Sequence, residues 1–163
     1  MAAPTSVVVL GAGVIGLTTA VELLRQHPTA SITIVAKHLP GDQSSADYCS
    51  NWAGANWMSY EDDKSGSTQQ AGYECVAFQR FGAIVSPSNG VRRFPLRLLY
   101  NEDDVATHGL KSLRQNWFQD LLGGTTEVKK EELPDRVGFG LELRMFMINP
   151  SVYLAWYAFT FPI

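Results

Sequence analysis

The chain has 163 residues, of which 45% are hydrophobic, 11% aromatic and 18% charged, enough for one domain and too few for two. Thirteen Lys and Arg against sixteen Asp and Glu leave a net charge of -3, so no basic excess is available to neutralise the phosphates of a nucleic acid. Ordinary apolar content with so small a net charge also excludes a disordered chain.

The opening MAAPTS has no basic region, and the apolar stretch behind it holds three glycines, which excludes a secretory signal. Val7, Val8, Val9 and Leu10 run together without alternation, predicting a short parallel strand covered on both faces. After a glycine turn, Val14, Leu17, Val21 and Leu24 recur at steps of three and four, which puts them on one helical face. His27-Pro28 ends that helix, because the residue before proline is pushed out of the α region. Ile32 to Val35 form the next β-branched run, completing a β-α-β unit.

From Lys37 to Lys64 turn chemistry takes over, and a long loop in a compact domain is usually functional. Residues 69–82 are predicted helical, with Val76 and Phe78 near Phe81, and residues 83–86 form a short strand. Leu110, Leu113, Trp117 and Leu121 mark one helical stripe closed by Gly123-Gly124. Glu61-Asp62-Asp63 and Glu102-Asp103-Asp104 lack the spacing of a calcium loop and read as solvated loops. Lys129-Lys130-Glu131-Glu132 reads as a solvated face. Asn149 and Pro150 suit the N-cap and first position of a last helix, with Val152, Tyr153 and Trp156 as its apolar contacts. That helix has nowhere evident to pack before the apolar ending at Ile163, and the expectation is a truncated chain.

Two cysteines without CxxC spacing, Cys49 and Cys75, and three scattered histidines predict neither a disulfide framework nor a metal centre. The longest uncharged apolar stretch, 152–163, is too short to cross a bilayer. The expectation is a soluble, intracellular chain with no nucleic-acid or membrane partner.

The strongest local signal is Gly11-Ala12-Gly13-Val14-Ile15-Gly16, a GxGxxG between a predicted strand and a predicted helix. Gly11 permits the tight turn, Gly13 lets the backbone approach a pyrophosphate, and Gly16 lets helix and strand pack closely. The helix N-terminus then stabilises phosphate charge through its open N–H groups and dipole. The acidic residue expected at the end of the second strand to hold ribose hydroxyls is missing: Ala36-Lys37-His38 stands there, and Asp42 comes only after a Pro-Gly turn. This departs from the NAD pattern and disfavours an NAD-linked dehydrogenase. Lys37 reaches adenosine or phosphate, or is simply solvated. Ser44, Ser45 and the run from Asn51 to Trp57 supply hydroxyls and small residues near a pyrophosphate and a flat ring. The same run also reads as a structural turn with two core tryptophans.

Three segments, VVVLGAGVIGLTTAVELL (7–24), IVAKHLPGDQSSADYCSNWAGANW (34–57) and INPSVYLAW (148–156), resemble the D-amino-acid oxidase family, its fungal members most of all. The resemblance implies an α/β, Rossmann-like three-layer FAD-binding fold, truncated before the substrate domain is complete. On that analogy residues 1–156 are the FAD-binding portion and 157–163 a divergent apolar tail. Gly11, Val14 and Ile15 would border the pyrophosphate, within the motif that also holds Ala12, Gly13 and Gly16. Lys37 and His38 would lie near the adenosine, and Ser44 and Ser45 would hold phosphate or ribityl oxygens. Gly54, Ala55, Asn56 and Trp57 would line the isoalloxazine.

Enzymes of this kind pass the α-hydrogen of a D-amino acid as hydride to flavin, and the products are a 2-oxo acid, ammonia and hydrogen peroxide. The family's substrate-clamping tyrosines and arginine lie in a later half, so no catalytic residue is assigned here. Arg92, Arg93 and Arg97 read as surface charges. The family is peroxisomal, but the ending Phe161-Pro162-Ile163 carries no such address, leaving the cytoplasm as default. The competing expectation is a non-catalytic dinucleotide-binding or interaction module, associating as a homodimer through the apolar tail.

Overall fold

A computed structural model describes residues 6–42, 46–61 and 65–160. The chain divides into two compact units. One comprises the chain up to Ala55, Ser86–Val91 and the chain from Ile148; the other comprises Asn56–Val85 and Arg92–Met147.

In the first unit β1 (Ser6–Leu10) pairs in parallel with β2 (Ser31–Val35), Ser6 opposite Ser31 and Leu10 opposite Val35. The crossover between them is α1 (Val14–Gln26), which buries Leu17, Ala20 and Val21 and is ended at His27 as the proline requires. The expectation that β1 is covered on both faces is corrected. Val9 is buried at 9% exposure, whereas Val8 and Leu10 are 62% and 81% exposed. Successive strand residues point to opposite faces, and α1 packs on one of them only. Val14 is likewise 45% exposed, because the buried stripe of α1 begins one turn later, at Leu17. A short helix α2 (Cys49–Trp52) follows the loop.

The helix starting at Asn149 is present as α6, Pro150–Thr160 in the described residues, and Asn149 Oδ1 accepts a hydrogen bond from the Val152 N–H at 3.4 Å. It does find packing: Tyr153, Leu154 and Tyr157 are buried, against α1, α2 and the 3-10 turn Pro87–Asn89. Of its expected apolar contacts only Tyr153 is buried; Val152 is 40% exposed and Trp156 half-buried.

In the second unit α3 (Gln69–Ile84) is capped by Thr68, whose hydroxyl accepts from the Ala71 N–H at 3.1 Å and donates to Glu61. Phe78 is buried as its spacing demands, while Val76 points outward. The short strand expected at 83–86 is mostly the end of α3; only Ser86, in the first unit, makes a single bridge, to Val91. Pro87 follows and Ser86 caps the 3-10 turn it starts, which ends the helical pattern there.

The long strands β3 (Val91–Asn101) and β5 (Val137–Ile148), with the two-residue β4 (Thr126–Glu127) antiparallel to β5, form a sheet in the order β3-β5-β4. The central strand β5 buries Phe139, Leu141, Leu143, Met145 and Phe146. The stripe from Leu110 to Leu121 is not one helix: α4 (Glu102–Arg114) ends before Trp117, and α5 (Gln119–Leu122) carries Leu121. The glycine pair does close α5, Gly123 adopting φ +78. Glu102-Asp103-Asp104 is the first turn of α4 rather than a loop. The Asn101 side chain accepts from the Asp104 N–H at 2.7 Å and the Asp104 carboxylate from the Asn101 N–H at 3.0 Å, a reciprocal cap placed where the helix dipole favours negative charge. Lys129 to Glu132 is exposed, as expected. No described helix is long and apolar enough to cross a membrane, and no described His, Cys, Asp or Glu cluster could hold a metal ion.

Candidate functional site

The glycine turn between β1 and α1 is built as the motif's spacing requires. Gly11 has φ +99, a conformation side-chain-bearing residues rarely adopt, and its N–H donates to Val35 O at 2.8 Å, tying the turn to β2. A Cβ on Gly16 would stand 1.9 Å from Gly11 O, so only glycine lets α1 approach the turn this closely. A Cβ on Gly13 would meet Ser50 Oγ at 2.7 Å. That serine accepts a hydrogen bond from the Val14 N–H at 3.2 Å.

The turn is buttressed from behind by Tyr48, whose buried hydroxyl donates to Ala12 O at 2.6 Å. Burial, and then the neighbouring Cys49, push the Tyr48 phenol above its ordinary pKa, so it stays a donor at any physiological pH. Sequence reasoning singled out neither Tyr48 nor Ser50, because both act on the turn from 36 residues away.

Several features of the turn fit a dinucleotide pyrophosphate. The first N–H groups of a helix have no intrahelical partner; Ser50 takes that of Val14, leaving those of Ile15 and Gly16 for an anion. No acidic residue stands in the first turn of α1 to repel it. Val14 and Ile15 are 45% and 81% exposed at the helix start, apolar surface that a bound ligand would cover. The Asn51 Oδ1 is buried without a partner among the described residues; as an acceptor it suits a hydroxyl donor and not a phosphate oxygen.

The residues after β2 are held by an ion pair and by hydrogen bonds. Lys37 Nζ lies 2.8 Å from Asp47 Oδ2 with both side chains at least 70% exposed, so the lysine is solvated and paired. His38 Nδ1 lies 2.8 Å from Asp42 Oδ2, and Asn51 Nδ2 donates to Asp42 O at 3.4 Å. Asp42, the acid displaced from the NAD position, is thus engaged with His38. Ser44 and Ser45 lie outside the described residues, as do Asp62 and Asp63.

In the following run Gly54 is open, with nothing within 4 Å of an added Cβ, and the Ala55 carbonyl accepts from the Ile148 N–H at 2.8 Å. In the second unit Asn56 is exposed and bridges Met147. Trp57 is a core residue at 6% exposure. Its ring packs edge-on against Phe78 and Phe118 at 4.9 and 6.0 Å, its N–H donates to Phe146 O at 2.9 Å, and its Nε1 to Glu74 O at 3.1 Å. Trp52 is 66% exposed, so of the two tryptophans one is core and one is surface. The three arginines are surface groups as expected. Arg97 bridges Glu132 and Glu142 at 2.7 and 3.0 Å, and the exposed Arg93 stacks its guanidinium 4.8 Å from the centre of the Phe146 ring.

Residues 6–161 match the family described as FAD dependent oxidoreductase. The match continues past Trp156, where the resemblance read from the sequence stops. The chain is 33% identical over 174 residues to a D-aspartate oxidase of Talaromyces thermophilus, covering 94% of this chain and 46% of that protein. It is 32% identical over 157 residues to a D-amino-acid oxidase of Fusarium vanettenii, covering 93% of this chain and 42% of the relative. A shorter stretch of 79 residues is 44% identical to a D-aspartate oxidase of Cryptococcus neoformans var. grubii. The chain spans less than half the length of the first two relatives. With its glycine turn, α/β fold and a match across nearly its whole length, the chain belongs to the FAD dependent oxidoreductase family.

Proposed function

We propose that this chain binds FAD and is the FAD-binding portion of an oxidase of D-amino acids, D-aspartate among the candidate substrates. The observation that carries the reading is the turn at Gly11–Gly16. Its glycines exclude side chains from the helix entrance, and the helix behind it offers unpaired N–H groups with no competing carboxylate. The names of the relatives support the substrate class.

Each group has a role in this reading. Gly11 leaves room for the pyrophosphate, which the N–H groups of Ile15 and Gly16 bind; Gly13 leaves room for the Ser50 side chain that braces the turn, and Ala12 is buried. Tyr48 and Ser50 hold the turn in shape. Lys37 and His38 stand toward the adenosine, fixed by Asp47 and Asp42. Ser44 and Ser45 supply hydroxyls to phosphate or ribityl oxygens. Gly54 and Ala55, which share the first unit with the turn, line the flavin ring. The chemistry that FAD supplies when bound is acceptance of a hydride from the α-carbon of the amino acid.

The test is a titration of the purified chain with FAD, following flavin absorbance and fluorescence, and then peroxide release with D-aspartate and D-alanine. Saturable binding at one site is expected. Absence of FAD binding by a folded chain refutes the reading. NADH bound in preference to FAD would replace it with the dehydrogenase that the missing ribose acid disfavours.

A further inference from the structure

Gly13 has φ -76 with an extended ψ, a conformation open to any residue, so this glycine is required for space and not for its backbone. The space is taken. A Cβ at Gly13 would meet Ser50 Oγ at 2.7 Å and Ser50 Cβ at 3.7 Å, and the same oxygen accepts from the Val14 N–H at 3.2 Å. In the dinucleotide motif the second glycine lets bare backbone approach the pyrophosphate. In this chain a hydroxyl stands against that backbone instead.

The hydroxyl is held in place. Ser50 belongs to α2, which packs against α6, and two residues before it the Tyr48 hydroxyl donates to Ala12 O at 2.6 Å. The segment 48–50 is thus fastened to the turn on either side of Gly13, at Ala12 and at Val14. All of these residues belong to the first unit.

A hydroxyl carries one proton and two lone pairs. The Ser50 oxygen uses a lone pair for the Val14 N–H, and its own proton meets no acceptor among the described residues. Accepting from Val14 makes it a better donor, because hydrogen bonds in series polarise one another, and this series starts at the positive end of the α1 dipole. With no acidic residue in the first turn of α1, the acceptor that suits such a donor is a phosphate oxygen. Ser50 therefore does more than withdraw the Val14 N–H from use: it passes that donor outward by one group.

We infer that Ser50 is a pyrophosphate-binding residue, its hydroxyl accepting from the Val14 N–H and donating to a phosphate oxygen. The inference rests on the reading above that the turn binds the pyrophosphate of FAD. A serine that only braces the turn would leave the anion to Ile15 and Gly16 and would matter to binding no more than Tyr48 does.

Wild type, Ser50→Ala, Ser50→Thr and Tyr48→Phe are each titrated with FAD and with ADP, which carries the adenosine and pyrophosphate without the ring, and the phosphorus NMR spectrum of bound ADP is recorded. Tyr48→Phe removes the other bond that holds the turn but no donor to phosphate, so it measures the loss of a brace alone. Ser50→Ala is expected to bind ADP and FAD about tenfold more weakly than wild type and at least about threefold more weakly than Tyr48→Phe. It should also shift a phosphorus resonance of bound ADP that Tyr48→Phe leaves in place. Ser50→Thr keeps the hydroxyl and should stay within about threefold of wild type. Should Ser50→Ala not fold, Ser50→Cys, similar in shape and a far weaker donor, takes its place with the same direction expected. Binding no weaker than that of Tyr48→Phe, or unmoved phosphorus resonances, overturns the inference. Binding as tight as wild type does so too, since it would show the freed Val14 N–H taking the phosphate itself. A folded wild-type chain that binds neither ADP nor FAD rejects the reading beneath the inference instead.

Discussion

Replacing Gly16 by alanine should separate helix from turn in a way that no side-chain adjustment can relieve. The added Cβ would stand 1.9 Å from Gly11 O and 2.9 Å from Gly11 C, and both of those atoms are backbone. An ordinary contact needs about 3.5 Å, so a gap of about 1.5 Å must open at the start of α1. That shift also strains the packing of Leu17, Ala20 and Val21 beneath it and the bond from the Gly11 N–H to Val35 O. Overfilling a packed site costs about 1–3 kcal/mol, and a backbone clash belongs at the upper end. Alanine returns up to about 1 kcal/mol of helix propensity, leaving a net loss of about 2 kcal/mol.

Gly72→Ala is the matched control. It too lies in a helix, but nothing stands within 4 Å of its added Cβ, so a gain of about 0.5–1 kcal/mol is expected. Urea and thermal unfolding followed by far-ultraviolet circular dichroism measure both, and the Gly16 variant should melt about 4–8 °C lower than wild type. FAD affinity should fall with it, since the displaced N–H groups are those proposed to bind phosphate. Two variants of equal stability, or a Gly16→Ala chain that binds FAD like wild type, would refute the close-approach argument.

Two further outcomes follow from the charged groups. Lys37→Ala breaks an exposed pair with Asp47, so stability should change by less than about 0.5 kcal/mol; a several-fold drop in FAD affinity without loss of stability supports contact with the adenosine, and unchanged affinity marks the lysine as merely solvated. Burial pushes the Glu74 carboxyl up, but hydrogen bonds from Ser59, Gln70 and the Tyr60 N–H outweigh it and hold its pKa below the ordinary 4.5. The folded state therefore binds that proton less readily than the unfolded one. The carboxylate's contribution is complete above 4.5 and fades as pH falls through the lower folded value. Unfolding midpoints measured downward from pH 6 should drop less steeply for Glu74→Gln than for wild type, and parallel curves would show that the carboxylate carries no such contribution.

The β-α-β unit was legible in the sequence because its determinants are local. Gly11 and Gly16 lie five positions apart and answer to the same close approach, and His27-Pro28 marks the end of α1 by steric exclusion alone. The cap at Asn149 and the start of α3 at Gln69 are legible for the same reason. The strand β5 had a signal, Leu141, Leu143 and Met145 alternating with Glu142 and Arg144, but its length and its central place depend on β3 and β4, which carry no strong pattern of their own. The break between Leu113 and Leu121 was hidden because a helical stripe looks the same whether or not the backbone is continuous beneath it.

What the residues determined by themselves is the glycine turn and the helix that follows it, and with them the dinucleotide class, while the family is legible from the three segments 7–24, 34–57 and 148–156 together. The tertiary structure decided which groups support that turn and which tryptophan is core. Tyr48 and Ser50 reach Ala12 and Val14 across 36 positions of chain, Trp57 is buried while Trp52 is exposed, and Glu74 meets the Tyr60 N–H only where α3 lies against that segment. Backbone sterics act between neighbours and can be read from one segment. Hydrogen bonds and burial act between whatever the fold brings together, and those pairs exist only once the chain has folded.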